Sequence, residues 1–322
     1  MSDPIVPIPI KRKRRWVSVV KGVLLAIIIY LVGAAMWKQW KVIEAQNIPV
    51  QIRPIPLLLA LLALIGVSTV QMISYRALLS AYASAPPWRA MLAVAWLPPL
   101  GKYVPGKVAA LLAAMAILRR FGIPGAVAVA VVLVLDGLAV IAGLITGSPL
   151  LLWRPIREIA PWAWTLCVPV VIVGIICLWP SVFGRIINFA LKKAKKPSLP
   201  KMPPVSRYLI PVTCAFAQWV LAGLGLLLIV ASVTGEIKWS HWPLMIAFAA
   251  LSQTIGYLVL ISPGGFGPTQ AIQLACLTPL VGPLAAVIVP IRLLAQVFVD
   301  LILASVGAFV LRKVDGQRFF NK

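Results

Sequence analysis

The feature that most constrains this chain is a series of apolar runs, each long enough to cross a membrane. About twenty apolar residues in a helix span the roughly 30 Å hydrocarbon core of a bilayer. The sequence predicts six such spans, at 17–37, 55–75, 123–147, 161–180, 207–234 and 283–311. Of the 322 residues, 61% are hydrophobic and 11% are charged, whereas soluble domains are nearer a quarter charged. The sequence therefore predicts an all-α polytopic membrane protein.

The basic residues are distributed unequally between the two sides of these spans. The net charge is +23, and the predicted topology places 20 Lys and Arg on one side and 6 on the other. The positive-inside rule assigns the richer side to the cytoplasm. The basic N-terminus 1–16, the loop 181–206 and the tail 312–322 are therefore predicted to be cytoplasmic. We expect anionic lipid headgroups as partners of these segments. We expect no nucleic-acid partner, because no recognition motif accompanies the charge.

Two further apolar segments are interrupted by proline and glycine. Segment 88–120 is broken between Pro98 and Gly106, and basic residues at both of its ends favour the cytoplasmic side. It predicts a re-entrant helical hairpin that enters from the cytoplasm. Segment 242–280 is broken at 263–268, and the neighbouring spans place both of its ends outside. It predicts a second hairpin of opposite orientation. Such irregular backbone is tolerated at membrane depth only where it is buried in protein or lines a wet cavity.

The order of these elements repeats along the chain. Residues 17–147 contain two spans, a hairpin and a span, starting from the inside. Residues 161–311 contain the same series starting from the outside, and 148–160 form an outer connector. This order predicts an inverted-topology repeat, an arrangement in which secondary transporters form their sites at interrupted helices near the midplane.

The second interruption has the composition of an anion site. Pro268 suits the first position of a new helix, with Gly267 as its cap. A helix N-terminus presents free N–H groups and the positive end of its dipole. The candidate substrate-binding residues here are Ser262, Gly264, Gly265, Gly267, Thr269 and Gln270.

The first interruption adds Lys102, Tyr103 and Lys107 as candidate substrate-binding residues. Two lysines at the tip of an apolar hairpin are expected to face a wet cavity that holds an anion. The alternative is that both side chains extend to the membrane interface.

Three charged residues lie inside predicted spans: Asp136, Arg292 and Asp300. Each costs about 2.5–3.5 kcal/mol at a helix centre on insertion scales. Arg292, Gln296 and Asp300 follow an i, i+4, i+8 spacing, which places them on one helix face. Arg292 is a candidate for bidentate phosphate binding. Asp136 is expected to anchor Lys102, Lys107 or Arg292, or to carry a proton. For both aspartates the alternative is a structural ion pair inside the bundle.

Catalytic and cofactor chemistry have little support in this sequence. The four cysteines lie in apolar runs without metal or redox spacing. The chain has one histidine, and no set of base and nucleophile is recognisable. We therefore expect no metal, no cofactor and no enzymatic activity.

Two motifs resemble a known family. GKYVPGKV, followed by LRRFGI and the span with Asp136, resembles the first half of the transmembrane flippase domain of lysylphosphatidylglycerol synthases. SPGGFGPTQ and the later Arg292 resemble that family's Pro-Gly-Gly-x-Gly-x-x-Glu motif and the arginine after it. The resemblance covers 17–311 and implies a stand-alone flippase-like domain in a bacterial cytoplasmic membrane. Its larger members imply a homodimer.

This chain departs from the family pattern in two places. Gln270 stands where the family has an acidic residue, and Val132 to Leu135 stand where it usually has a Glu-Arg pair. No soluble aminoacyltransferase domain follows residue 311, so the resemblance implies lipid translocation and not lipid synthesis.

These observations together predict a lipid flippase-like protein. Its substrate would be an anionic phospholipid, an aminoacyl-phospholipid or a polyprenyl-phosphate-linked lipid. Lys102, Lys107 and Arg292 would hold the phosphate, with the backbone of 264–267 as partner. Two alternatives remain open: a secondary transporter of a small soluble anion, and an intramembrane enzyme acting on lipid phosphates.

Overall fold

The computed structural model describes residues 30, 33–34, 36–38, 40–82, 86–103, 108–193, 198, 202–259 and 265–320, with the backbone alone at 108, 159, 190 and 314–320. Throughout these residues the structure consists of helices and turns, without strands. The α-helices are α1 (Pro54–Tyr82), α2 (Trp88–Trp96), α3 (Val108–Arg120), α4 (Gly125–Gly147), α5 (Arg154–Ile159), α6 (Cys167–Leu178), α7 (Pro180–Lys193), α8 (Val205–Thr234), α9 (Trp242–Leu258), α10 (Pro268–Val281) and α11 (Ala285–Phe320).

Four stretches in the described part of the chain are long and apolar enough to cross a membrane. They are Pro54–Tyr82, Gly125–Leu152, Val205–Thr234 and Pro268–Lys313. A fifth is added if Ala163–Leu178 and Pro180–Lys193 are counted as one span bent by 91°. These helices indicate a multi-pass membrane protein. The six spans and the two re-entrant hairpins stay predictions.

Two predicted spans, 123–147 and 207–234, lie within two residues of the observed helices, and three others differ from them. α1 extends seven residues beyond the predicted end at 75, and α11 continues to Phe320 where a tail was predicted from 312. The predicted span 161–180 contains α6, a helix of 12 residues, which is only about 18 Å long. The predicted span 17–37 and the N-terminus 1–16 lie almost entirely outside the described residues.

The segment predicted as a basic loop from 181 is helical up to Lys193. α6 ends at Leu178 because Trp179 adopts an extended conformation before Pro180, as residues preceding proline usually do. The chain therefore turns sharply between α6 and α7.

Helix α8 lies at the centre of the structure, where it packs against α1, α4, α9 and α11. α1 and α8 run antiparallel. At one end the Arg53 N–H donates to the Ser232 carbonyl oxygen over 2.8 Å. At the other end the Arg207 guanidinium donates to the Ser80 carbonyl oxygen over 3.4 Å. Apolar side chains on the outside of the bundle, such as Phe298 on α11, are exposed, as expected for a surface that faces lipid.

Each interrupted segment contains two helices, and the described residues between them are not α-helical. In the first, α2 is followed by a 3-10 turn at Pro98–Tyr103 and then by α3. In the second, α9 ends at Leu258 and α10 begins at Pro268. Within each segment the two helices contact each other, so each interruption connects two packed helices.

Candidate anion-binding site

A column of polar side chains runs along one face of α11. The Arg292 Nη1 donates to the Gln296 Oε1 over 3.1 Å, and the Gln296 Nε2 donates to the Asp300 Oδ1 over 3.0 Å. Arg292 is 4% exposed and Asp300 is 5% exposed. The predicted i, i+4, i+8 face is therefore a hydrogen-bonded chain inside the bundle.

The first interruption places two donors on the end of this column. The Lys102 Nζ lies 2.5 Å from the Asp300 Oδ2, and the Tyr103 hydroxyl donates to the same oxygen over 2.5 Å. Pro98 and Pro99 end α2, because proline lacks the N–H that a continuing helix requires. The turn then passes so close to α3 that a Cβ on Gly101 would lie 2.3 Å from the Ala110 nitrogen. This close approach fixes the position of Lys102 and Tyr103.

Arg292 is the cation in this group without a carboxylate partner. Among the described residues it forms no ion pair, and its Nε is buried without a hydrogen-bond partner. A buried charge is expensive unless it is paired. Arg292 is close enough to Asp300 and Tyr103 to interact with them electrostatically. The site therefore contains a desolvated guanidinium with unused hydrogen-bonding capacity.

The second interruption reaches the first through an aromatic contact. The rings of Tyr103 and Phe266 lie 5.7 Å apart between centroids, at 55°. Phe266 lies between Gly265 and Gly267, whose φ angles are +78° and +90°. Because side chains rarely tolerate this region of φ, glycine is required at both positions. The two interruptions therefore meet beside the polar column.

The N-terminus of α10 differs from the predicted anion site in one respect. The Gly267 N–H donates to the Gln270 Oε1 over 2.7 Å, so this donor is already satisfied by a capping interaction. Thr269 is buried and packs against Gly256, where a Cβ would lie 2.0 Å from the threonine Oγ1. In this structure Gln270 and Thr269 therefore serve the cap and the packing of α10. The backbone N–H of Gly267 is not available to a ligand.

Asp136 belongs to a second polar group. The Tyr257 hydroxyl, near the end of α9, donates to the Asp136 Oδ2 on α4 over 2.8 Å. The buried Tyr75 of α1 is close enough to Asp136 to interact with it electrostatically. The sequence left Lys102 as one of three possible partners of Asp136. In the structure Lys102 pairs with Asp300.

Each of the two aspartates accepts a hydrogen bond from a tyrosine in the other half of the chain. Tyr103, from the interrupted segment of the first half, binds Asp300 in the last long helix of the second. Tyr257, from the interrupted segment of the second half, binds Asp136 in the last long helix of the first. Each interrupted segment thus supplies a tyrosine to the other half.

Three predicted site residues, Lys107, Ser262 and Gly264, lie outside the described residues. Three contributors were absent from the predicted site, namely Gln296, Tyr257 and Phe266. Gln296 lies on the predicted face of α11 and was identifiable by its spacing. Tyr257 and Phe266 flank the second interruption, but their partners lie more than a hundred residues away in sequence.

Within the described ranges, no group of three or more His, Cys, Asp and Glu side chains is placed to hold a metal ion. Compared with known proteins, the chain matches no protein-family model and no curated sequence.

Proposed function

We propose that this protein is a flippase-like lipid transporter of a bacterial cytoplasmic membrane, related to the stand-alone transmembrane domain of lysylphosphatidylglycerol synthases. It would translocate an anionic phospholipid, an aminoacyl-phospholipid or a polyprenyl-phosphate-linked lipid. The proposal includes six spans, two opposed re-entrant hairpins and cytoplasmic termini.

The observation that carries the proposal is the buried guanidinium of Arg292 beside two meeting helix interruptions. A lipid headgroup does not cross hydrocarbon unaided, because desolvation of its charge is costly. A buried arginine with an unsatisfied Nε offers directional donors to a phosphate, which arginine binds in bidentate fashion. The crossed tyrosine–aspartate pairs support the inverted repeat, since each half contributes equivalent parts to the other.

The exposure of the end of α9, directly before the second interruption, favours a lipid over a soluble anion. Tyr257 is 44% exposed and Leu258 is 52% exposed, and both stand directly before the interruption. In a helical bundle within a membrane, an exposed apolar side chain faces lipid. A headgroup is therefore able to enter from the side while its acyl chains stay in the bilayer.

The test is translocation of a fluorescent phosphatidylglycerol by protein reconstituted in liposomes. We expect Arg292→Gln to lower the translocation rate at least about tenfold, since the variant removes the charge-assisted contacts to phosphate. Arg154→Gln is the matched control, because Arg154 is an arginine on the surface with a highly exposed side chain. Folding of each variant is checked by gel filtration.

Normal translocation by Arg292→Gln would remove this assignment. A fluorescent phosphatidylcholine in parallel liposomes tests whether transport requires a net anionic headgroup. Uptake of radiolabelled phosphate without lipid translocation would instead identify a soluble-anion transporter.

A further inference from the structure

Three donors from two elements converge on the carboxylate of Asp300. Lys102 and Tyr103 each approach Oδ2 to 2.5 Å, and Gln296 approaches Oδ1 at 3.0 Å. An ammonium, a phenol and an amide N–H are also suitable donors for the oxygens of a phosphate. The group is therefore an assembled oxyanion site that already holds the protein's own carboxylate.

The charges already present at this site limit which ligands it can bind. Lys102 is neutralised by Asp300, and Asp300 itself is 5% exposed. A phosphate on Arg292, Lys102 and Tyr103 would lie against the Asp300 carboxylate in surroundings of low polarity. Two negative charges at such a distance strongly favour the neutral form of one of them. A carboxylate takes up a proton far more readily than a phosphodiester.

We propose that Asp300 is a proton-binding residue that couples anion binding to proton uptake at this site. The inference rests on the proposed function of the same site. When the ligand arrives, Asp300 changes from carboxylate to carboxylic acid by taking one proton. The ligand phosphate then replaces the carboxylate on Lys102 and Tyr103. One negative charge still faces Lys102, so the exchange adds no net charge to the interior. The ligand class is a singly charged phosphodiester, either in a lipid headgroup or in its free soluble form.

The groups around Asp300 determine which side chain the proton is assigned to. Among the described residues, the charged or titratable groups that face it are Lys102 and Tyr103 from the 3-10 turn and Arg292 from its own helix. In the described part of the chain, α1, α2, α8 and α10 also pack on α11, but no hydrogen bond or ion pair from them reaches Asp300. Lysine, tyrosine and arginine side chains ordinarily titrate at about pH 10 or above. A proton taken up at this site between pH 5 and pH 8 is therefore assigned to the carboxylate and not to these three side chains.

The experiment is isothermal titration calorimetry on the purified full chain at pH 6, in two buffers of different ionisation enthalpy. One probe is dioctanoyl phosphatidylglycerol, and the other is glycerophosphoglycerol, which has the same phosphodiester without acyl chains. We expect uptake of about one proton per bound probe, and an affinity that falls by up to about tenfold for each unit of rising pH. The Asp300→Asn variant is expected to bind without proton uptake and with an affinity independent of pH.

The control is Glu158→Gln, which removes an exposed carboxylate on α5 and is expected to keep the uptake. If Asp300→Asn does not fold, the two-buffer measurement on the wild type and on Asp136→Asn decides, and uptake that both retain supports Asp300. Proton uptake with the lipid probe alone supports coupling to a lipid, and uptake with both probes supports coupling to the free headgroup as well.

Binding that depends on Arg292 but takes up no proton would overturn the coupling and leave the proposed function standing. Loss of the uptake in Asp136→Asn, with Asp300→Asn unchanged, would also overturn it. Failure of both probes to bind at every pH would reject the coupling and the proposed function together.

Discussion

Asp136 and Asp300 each accept a hydrogen bond from a tyrosine beside a helix interruption, but their surroundings differ. Asp300 is 5% exposed and receives donors from Lys102, Tyr103 and Gln296. Asp136 is half-buried, and its partner Tyr257 stands at the surface of the bundle. The same pairing therefore exists in a sealed form and in a form open to the surroundings. The sealed form depends far more on its protein partners, because water is not available to replace them.

The largest contrast is expected between Asp300→Ala and Asp136→Ala. Removal of the Asp300 carboxylate leaves Lys102, Tyr103 and Gln296 without their acceptor. We expect a loss of about 3 kcal/mol in the free energy of unfolding, at the low end for a broken buried ion pair because Lys102 is partly exposed. For Asp136→Ala we expect about 1 kcal/mol, since this carboxylate is only half-buried and loses the hydrogen bond from Tyr257. Unfolding by SDS titration in mixed micelles measures both. Equal losses would contradict the distinction between the two sites.

A smaller contrast is expected when the tyrosine hydroxyls are removed. Tyr103→Phe deletes a hydrogen bond to a buried carboxylate and is expected to cost about 2 kcal/mol. The ring, and with it the contact to Phe266, is retained. Tyr257→Phe is expected to cost about 0.5 kcal/mol, because its hydroxyl lies in a side chain that is partly exposed. The same SDS titration compares the pair, and a larger loss for Tyr257→Phe would reverse the assignment of the sealed site.

Gly101 and Gly256 support the two interruptions. Replacement of either by alanine is expected to destabilise the protein, but a second substitution should relieve the loss only at Gly256. An added Cβ at Gly256 meets the Thr269 side chain, whereas one at Gly101 meets the backbone of Ala110. Each Gly→Ala change is expected to destabilise by about 1–2 kcal/mol through overpacking. Thr269→Ala should recover part of the loss for Gly256→Ala, which a double-mutant cycle on thermal unfolding will show. An absence of recovery would mean that the threonine is not the obstacle.

The smallest contrast is expected between two substitutions at the cap of α10. Gln270→Ala removes the acceptor of the Gly267 N–H and should cost about 1 kcal/mol. Gln270→Glu keeps a side-chain oxygen at the same place, so it should retain most of the stability. Thermal unfolding followed by tryptophan fluorescence compares the two. If both variants are equally destabilised, the amide has a role beyond capping.

Sequence alone predicted the parts of this structure that depend on local pattern. The apolar length of 123–147 and 207–234 predicted helices close to the observed Gly125–Gly147 and Val205–Thr234, since hydrophobic length is the main requirement for a helix in a membrane. The spacing of Arg292 and Asp300 placed both on one face of α11, because the helical period fixes which side chains align.

Sequence could not predict the parts that depend on distant pairing. Spacing does not choose which carboxylate meets Lys102, and the choice of Asp300 follows from the packing of the 3-10 turn against α11. Tyr257 lies 121 positions from Asp136, and no local pattern connects them. Helix α7 was not predicted, because its basic residues suggested a loop. Its apolar side chains nevertheless recur with helical spacing.

The antiparallel packing of α1 and α8 has a geometric consequence for the proposed repeat. α1 corresponds to the second span of the first half, and α8 to the second span of the other. Their ends are joined at Arg53 and Ser232 and again at Arg207 and Ser80. Equivalent helices that pack against each other in opposite directions are related by a half-turn between them. The pseudo-two-fold axis of the repeat would therefore pass between α1 and α8, parallel to the membrane plane. The rotation that exchanges the two interrupted segments would also exchange α1 and α8, so the pair as a whole would keep its position.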